Sequence, residues 1–474
     1  MHIFHLSAEC YPAAKVGGLG DVVGALPKYL NSAGVKATVV MPYYEKPFVI
    51  NHSLERVFEG SFTLREEHIS FKILKEASDS LGFDLYLIYI PGLLDRPEVY
   101  SYPDEHVQFI AFQIAFLEWI LKQTERPSIL HCHDHHTGLI PFLVNNAYRY
   151  SALKKTPTVF TIHNAQYQGI IGWENADYLP QFDPWKAGLL DWDGRINPLA
   201  AAVKCCWKYT TVSPGYMNEL PVNNSGLQEL FRMEHKKGSG ILNGIDTDIW
   251  NPSDDKYLIQ PYSADTVENG KYANKERLCH EFSLDVKTPL ISFIGRLAGE
   301  KGADLLPAII TDALETSPLD VNFLILGSGD YFIENSLAEL KQRYPAQCAV
   351  YIGYNEELSH RVYAGTDFLI MPSRVEPCGL NQLYSLRYGT MPLVSRVGGL
   401  NDTVVDFDEF EDGYGICFET ATVAQASQAI RRAINLFGDT VKLNGFRKQM
   451  MALDFSWQHA AQQYIDLYNT LKPV

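Results

Sequence analysis

Cysteine is scarce and unpatterned in this sequence: there are eight, with no CxxC spacing and one adjacent pair, Cys205 and Cys206. That excludes a disulfide framework and reads as free thiols in a reducing cytosol. Long apolar runs are missing too, so no bilayer-spanning segment is expected. The opening MHIFHLSAECYP lacks a basic stretch followed by a hydrophobic one, so no secretory leader is expected and the expected location is the cytoplasm. Positive charge is in deficit, with 40 Lys and Arg against 56 Asp and Glu and a formal net charge of −16. Nucleic acid and anionic membrane are thereby excluded as main partners. An anionic ligand would need a local basic cluster working against the global field.

What is present is ordinary globular material, 46% hydrophobic and 20% charged, in 474 residues. That length exceeds what a single hydrophobic core usually serves, so at least two domains are expected. Short apolar strands recur at His2–Ser7, Val35–Met41, Ile129–His133, Val159–His163, Leu290–Gly295, Phe323–Gly327, Phe368–Pro372 and Pro392–Ser395. Most lead into helical periodicity, as in Val22, Leu26, Tyr29 and Leu30 before Gly34. Alternating strands and helices predict α/β domains with mostly parallel sheets, whose ligands lie beyond the carboxyl ends of the strands. Pro27 should kink the first helix.

One internal echo divides the chain. VGGLGDVV at 16–23 returns as VGGLNDTVV at 397–405, each time between a strand and a helix. This predicts two similar α/β domains facing each other across a cleft, with a boundary near ILNGIDTDIWNP (241–252). The expected ranges are 1–242, 243–455 and a closing helix in 456–474 packed back on the N-terminal domain. A polar, aperiodic stretch is expected from 252 to about 275.

Three segments at strand ends suit an anion or a sugar. KVGGLGD (15–21) combines Lys15 with glycine amides at a helix start. GRLAGEKG (295–302) places Arg296 and Lys301 around a turn, a pair suited to a diphosphate. It is not a Walker loop, because GxxxxGK[ST] is absent. SRVEPCGLNQLY (373–384) sets Glu376 beside the amides of Cys378, Gly379 and Leu380, a combination that a ligand with both hydroxyls and phosphate would use. Cys378 reads as a small buried residue rather than a nucleophile.

The fourth segment, HCHDHH (131–136), reads at first as metal-binding. Strand alternation puts His131 and His133 on one face, and His163 could be a third ligand. After His163 the remaining histidines are His235, His280, His360 and His459, none of which ends an apolar strand. The alternative is a polar strand end lining a cleft.

Taken in order, KVGGLGDV, HCHDHHTGL, FTIHNAQYQG, ILNGIDTDIWNP, GRLAGEKG, SRVEPCGLNQLYSLRYGT and VGGLNDTV resemble the signatures of bacterial glycogen synthases and plant starch synthases, from about residue 3 to about 470. The resemblance implies a GT-B glycosyltransferase with two Rossmann-like, doubly wound parallel-sheet domains across a deep cleft. It implies transfer of glucose from ADP-glucose to the non-reducing 4-hydroxyl of an α-1,4-glucan, with retention and without a metal or other cofactor. HCHDHH then becomes a sugar-binding edge.

Carried over by position, His163, Arg296, Lys301 and Glu376 would be catalytic. Lys15, Gly17, Gly18, Asp21, Tyr354, Cys378, Gly379 and Leu380 would serve the donor, Tyr354 by stacking on adenine. Asp134, His135 and Asn243 would serve glucose or the acceptor. The chain departs from the family's usual HDWH pattern at His135, which removes an indole on which a sugar could stack. Tyr384 stands where related retaining families place a second Glu. Other readings are a UDP-glucose enzyme, an inactive glucan-binding paralogue, and a metal hydrolase on the histidine cluster.

Overall fold

The computed structural model describes residues 1–78, 80–222, 226–316 and 319–471; the end of the expected 456–474 segment lies outside them. The chain divides into one compact unit of Met1–Gly244 with Trp457–Val474 and a second of Ile245–Ser456.

In the first unit nine strands form one sheet in the order β11-β10-β7-β6-β1-β2-β5-β4-β3. They are β1 (His2–Leu6), β2 (Lys36–Pro42), β3 (Leu54–Leu64), β4 (Glu67–Glu76), β5 (Asp84–Tyr89), β6 (Ile129–His133), β7 (Thr158–Ile162), β10 (Lys208–Thr211) and β11 (Gly238–Gly240). A separate hairpin pairs β8 (Asp191–Trp192) with β9 (Arg195–Ile196). The sheet is parallel from β11 to β5, as the alternation predicts. Strands β3 and β4 extend it antiparallel, an addition the sequence reading did not anticipate. Exposed residues interrupt both, so they show no continuous apolar run.

Helices cover both faces. The helix Glu105–Leu121 packs its buried aromatic and aliphatic residues on one side. The helices Gly18–Ser32 and Trp457–Asn469 share a core on the other, where Leu26 and Leu30 meet Trp457, Tyr464 and Tyr468. Pro27 lies inside the first helix and cannot donate to the Val23 carbonyl. The Cys10 thiol lies 3.7 Å from Val23 O and 3.6 Å from Tyr11 O, within reach of the carbonyl that the proline leaves open.

The passage between units is fixed by backbone pairing. Ile241 and Asn243 N–H donate to Thr211 O and Val212 O, whereas Ile245 N–H donates to Phe455 O. Asn243 therefore belongs with the first unit.

The second unit is built on an all-parallel sheet ordered β14-β13-β12-β15-β16-β17. Its strands are β12 (Leu290–Ile294), β13 (Asn322–Gly327), β14 (Cys348–Ile352), β15 (Phe368–Met371), β16 (Met391–Ser395) and β17 (Ile416–Phe418). The stretch expected to be aperiodic up to about 275 is instead a helix from Val267 to Phe282. Its buried face includes Gly270, Lys271, Asn274 and Lys275, so no apolar stripe marks it. The Lys271 ammonium is met by the carbonyls of Tyr363, Ala364 and Tyr388 and by Thr390 Oγ1. Lys275 and Arg447 flank Asp367 at 2.7 Å each.

Each sheet has a point where the winding reverses. In the first it lies between β1 and β6, in the second between β12 and β15. Loops leaving such paired strands diverge and open a crevice at their carboxyl ends. The segments 15–21, 131–136, 295–302 and 373–384 leave those four strands, whereas His163, Asn243 and Tyr354 follow β7, β11 and β14.

Candidate active site

In the second unit, the loop after β12 carries Arg296 and Lys301, and the loop after β15 carries Glu376. Lys301 Nζ lies 2.6 Å from Glu376 Oε1, and Ser373 Oγ donates to Glu376 Oε2 at 3.0 Å. Glu376 is only 5% exposed, so the ammonium and hydroxyl replace its hydration. The two loops are stitched together. Arg374 and Val375 N–H both donate to Glu300 O, and the Arg374 guanidinium grips Asp304. Close approach depends on absent side chains. A Cβ on Gly302, whose φ is +66°, would lie 1.8 Å from Pro372 O.

The second glycine loop does different work from the first. A Cβ on Gly398 or Gly399 would fall 2.2 Å from Glu376 O or 2.1 Å from Cys378 O, and Gly399 N–H donates to Glu376 O. The echo at 397–405 is a backing for the Glu376 turn, not a second open anion loop.

Arg296 pairs with Glu300 at 2.6 Å and is half-exposed. Cys378 is buried, and burial is what its expected non-nucleophilic role requires. Gly379 and Leu380 lead directly into the helix Asn381–Arg387, whose Asn381 amide donates to Ile294 O at the end of β12. Tyr354 follows the edge strand β14, two strands from β12, with its ring 73% exposed and its hydroxyl on Glu356. Tyr384 stacks on Trp250 at 3.9 Å. In that position it is a packing residue.

In the first unit, the loop after β1 is organised by a residue the sequence reading missed. Glu9 is buried, and its carboxylate accepts from Val16 N–H at 2.5 Å, Gly17 N–H at 2.9 Å and Tyr100 Oη at 2.6 Å. Burial raises its pKa while these donors oppose the rise. The expectation that the Gly17 amide faces a diphosphate is corrected here, since Glu9 already occupies it. The signal was a lone acid in the apolar run SAECYP at a strand end. Gly18 opens the helix behind Gly17, and Lys15 is paired with Asp21 at 2.7 Å.

After β6, Asp134 adopts φ +56°, ψ 178°, a combination costly for any residue with a side chain, on the order of 1–3 kcal/mol. Its Oδ1 accepts His163 N–H at 2.7 Å, and Asn164 N–H also bonds the carboxylate. Because a trans peptide points N–H and C=O in opposite directions, holding Asn164 N–H aims the His163 carbonyl away from Asp134. Besides any contact with the sugar, its carboxylate positions the backbone of His163. Burial lifts its pKa to about 7.

His131 and His133 do share a face, and their ring nitrogens are engaged in hydrogen bonds. His133 Nε2 bonds His5 Nδ1 and His133 Nδ1 bonds His163 Nε2, each at 3.0 Å. His131 bonds Tyr468 Oη and Thr161 Oγ1 at 2.6 Å. The His131 and His133 rings stack at 4.3 Å. Burial lowers the pKa of all four rings, to about 3 for His5 and His163. They are neutral. His135 lies not on an open edge but ring to ring with His136 at 3.7 Å. Asn243 is 4% exposed and its Oδ1 has no hydrogen-bond partner among the described residues.

Two family models match this chain: the starch synthase catalytic domain over residues 2–233 and glycosyl transferases group 1 over 274–442. A glycogen synthase of Flavobacterium johnsoniae is 51% identical over 471 residues, covering 99% of both chains. The chain belongs to the glycogen and starch synthase family. A glycogen synthase of Streptococcus agalactiae is 37% identical across the full length of both chains. Among solved structures, the catalytic domain of starch synthase IV from Arabidopsis thaliana, bound to ADP and acarbose, is 31% identical with a TM-score of 0.89 and 99% coverage of each chain. Sucrose-phosphate synthase from Thermosynechococcus elongatus, 18% identical with a TM-score of 0.65, supports the fold alone, over 99% of this chain and 98% of its own. The fold is GT-B and the family is one of glycosyltransferases, as the resemblance implies. No helix among the described residues is long and apolar enough to cross a membrane.

Proposed function

We propose that this protein transfers glucose from ADP-glucose to the 4-hydroxyl at the non-reducing end of an α-1,4-glucan, with retention and without a catalytic metal. The observation that carries this reading is the buried Glu376 held against Lys301 at the winding reversal of the second unit. A carboxylate suits sugar hydroxyls, and an ammonium suits the charge that develops on a departing phosphate. A diphosphate arriving there competes with Glu376 for Lys301, freeing the carboxylate to turn to the sugar. Arg296 adds a second cation, Cys378, Gly379 and Leu380 border the phosphate, and Tyr354 offers a flat face to adenine. The ADP and acarbose bound by the starch synthase IV relative support the donor and the glucan.

On the first unit, Asp134 holds the His163 carbonyl in one direction, available to an oxocarbenium-like sugar, and the Asn243 Oδ1 accepts from a hydroxyl. No carboxylate is assigned as a nucleophile, so transfer proceeds on one face through a short-lived ion pair and the leaving phosphate takes the acceptor's proton. The test offers ADP-glucose and UDP-glucose separately with a maltooligosaccharide and reads the new linkage by proton NMR. An α-1,4 linkage from ADP-glucose is expected. A β linkage removes retention, and turnover of UDP-glucose alone removes the donor assignment.

A further inference from the structure

We propose that Glu105, His135 and His136 bind one transition-metal dication of the zinc class. Each of the three side chains offers one ligand atom, and these atoms lie within 4.8 Å of one another. Proximity alone would say little. The stronger observation is that both His135 Nδ1 and His136 Nδ1 are buried with no hydrogen-bond partner among the described residues, and that His136 is only 6% exposed. An imidazole nitrogen left dry and unpaired is costly, and here two adjacent residues each carry one.

The tautomer of His135 suits a ligand. The backbone at Tyr167 hydrogen-bonds this ring, and since Nδ1 is the unpaired nitrogen, the bond falls on Nε2. A carbonyl accepting from Nε2–H leaves a lone pair on Nδ1, the arrangement in which metal-bound histidines are usually held. Space is reserved for it as well: a Cβ on Gly169 would lie 2.4 Å from His135 Cδ2.

Glu105 supplies the charge. It stands at the first turn of the helix Glu105–Leu121 and accepts Ser101 N–H on Oε2 at 2.8 Å. Two imidazoles and one carboxylate favour zinc, cobalt, nickel or copper over magnesium and calcium, which prefer oxygen throughout. Ligand atoms around zinc sit about 3.3 Å apart for bonds of about 2.0–2.1 Å, so the three side chains must close on the ion. The His5, His131 and His133 cluster has a comparable spacing, but most of its nitrogens are already hydrogen-bonded to one another or to Tyr468, Thr161 and His163.

The full-length protein, stripped with chelator and dialysed, is titrated with Co²⁺ while the visible d–d absorption is followed, and Zn²⁺ retention is measured by equilibrium dialysis. One equivalent is expected, with binding at least tenfold weaker in Glu105→Gln and in His136→Gln, each checked for folding by circular dichroism. Absence of the band and of retained zinc in folded wild type overturns the proposal and leaves a water bridging the two nitrogens as the occupant. Binding that is unchanged in folded Glu105→Gln also overturns it, since the metal then lies elsewhere.

Discussion

Replacing Glu376 or Lys301 by alanine breaks a 2.6 Å ion pair whose carboxylate is almost fully buried. Each change should lower kcat about a hundredfold or more, or at least about 2.7 kcal/mol of transition-state stabilisation. Steady-state kinetics on folded variants checks this, and near wild-type turnover in either would remove the assignment. Asp134 separates two kinds of contribution. If its carboxylate clamps the His163 and Asn164 amides, Asp134→Asn should keep most activity, because the amide oxygen accepts the same N–H groups. Asp134→Ala should lose about a hundredfold, the typical cost of misplacing a positioned group. Equal losses in both variants would mean that the negative charge itself acts on the sugar. The residues most legible in the sequence were those whose chemistry is local, such as Lys301 and Glu376 in their turns. Glu9 was not, because its donors Val16, Gly17 and Tyr100 meet it only after folding.

At the scale of elements, β1, β6 and β7 bring His5, His131 and His133 into a buried stack that reaches His163 in the loop after β7. Their folded pKa values are depressed by burial, so in acid the unfolded chain binds protons that the folded chain refuses. Stability from these groups is present above about pH 6.5 and is lost as pH falls below it. Asp134 acts with the opposite sign. Its pKa is raised to about 7 from an ordinary value of about 3.9, so its contribution favours folding at low pH and fades between about 4 and 7. Four rings outweigh one carboxyl, and urea titrations followed on the first unit should show falling stability from pH 7 to pH 5. Stability that rises over that range would contradict the neutral stack. The strands of these elements were readable because parallel strands buried on both faces are continuous apolar runs. The helix Val267–Phe282 was not, because lysines, asparagine and glycine form much of its inward face. Strands β3 and β4 escaped for a related reason, since exposed residues interrupt their apolar ones.

At the scale of the whole molecule, the first unit is completed by the end of the chain. Trp457, Tyr464 and Tyr468 are buried with Leu26 and Leu30, and the Tyr468 hydroxyl bonds His131. Ending the chain at Ser456 should therefore lower the melting temperature of the first unit while leaving the second, which spans Ile245–Ser456 without interruption, close to its original stability. Differential scanning calorimetry of the two chains checks this, and equal loss in both units would contradict it. The two-domain plan was visible beforehand through the echoed glycine loops, yet the echo misled on purpose. Only contact distances show that Gly398 and Gly399 back the Glu376 turn.

The central claim is glucosyl transfer driven by fixed positive charge rather than by a catalytic metal. The most direct measurement is ADP release from ADP-glucose by the purified protein, with and without glycogen, in the presence and absence of EDTA. The account predicts release that requires glycogen and keeps its rate in EDTA. No release from well-folded protein, or release that EDTA abolishes and a divalent cation restores, would contradict it.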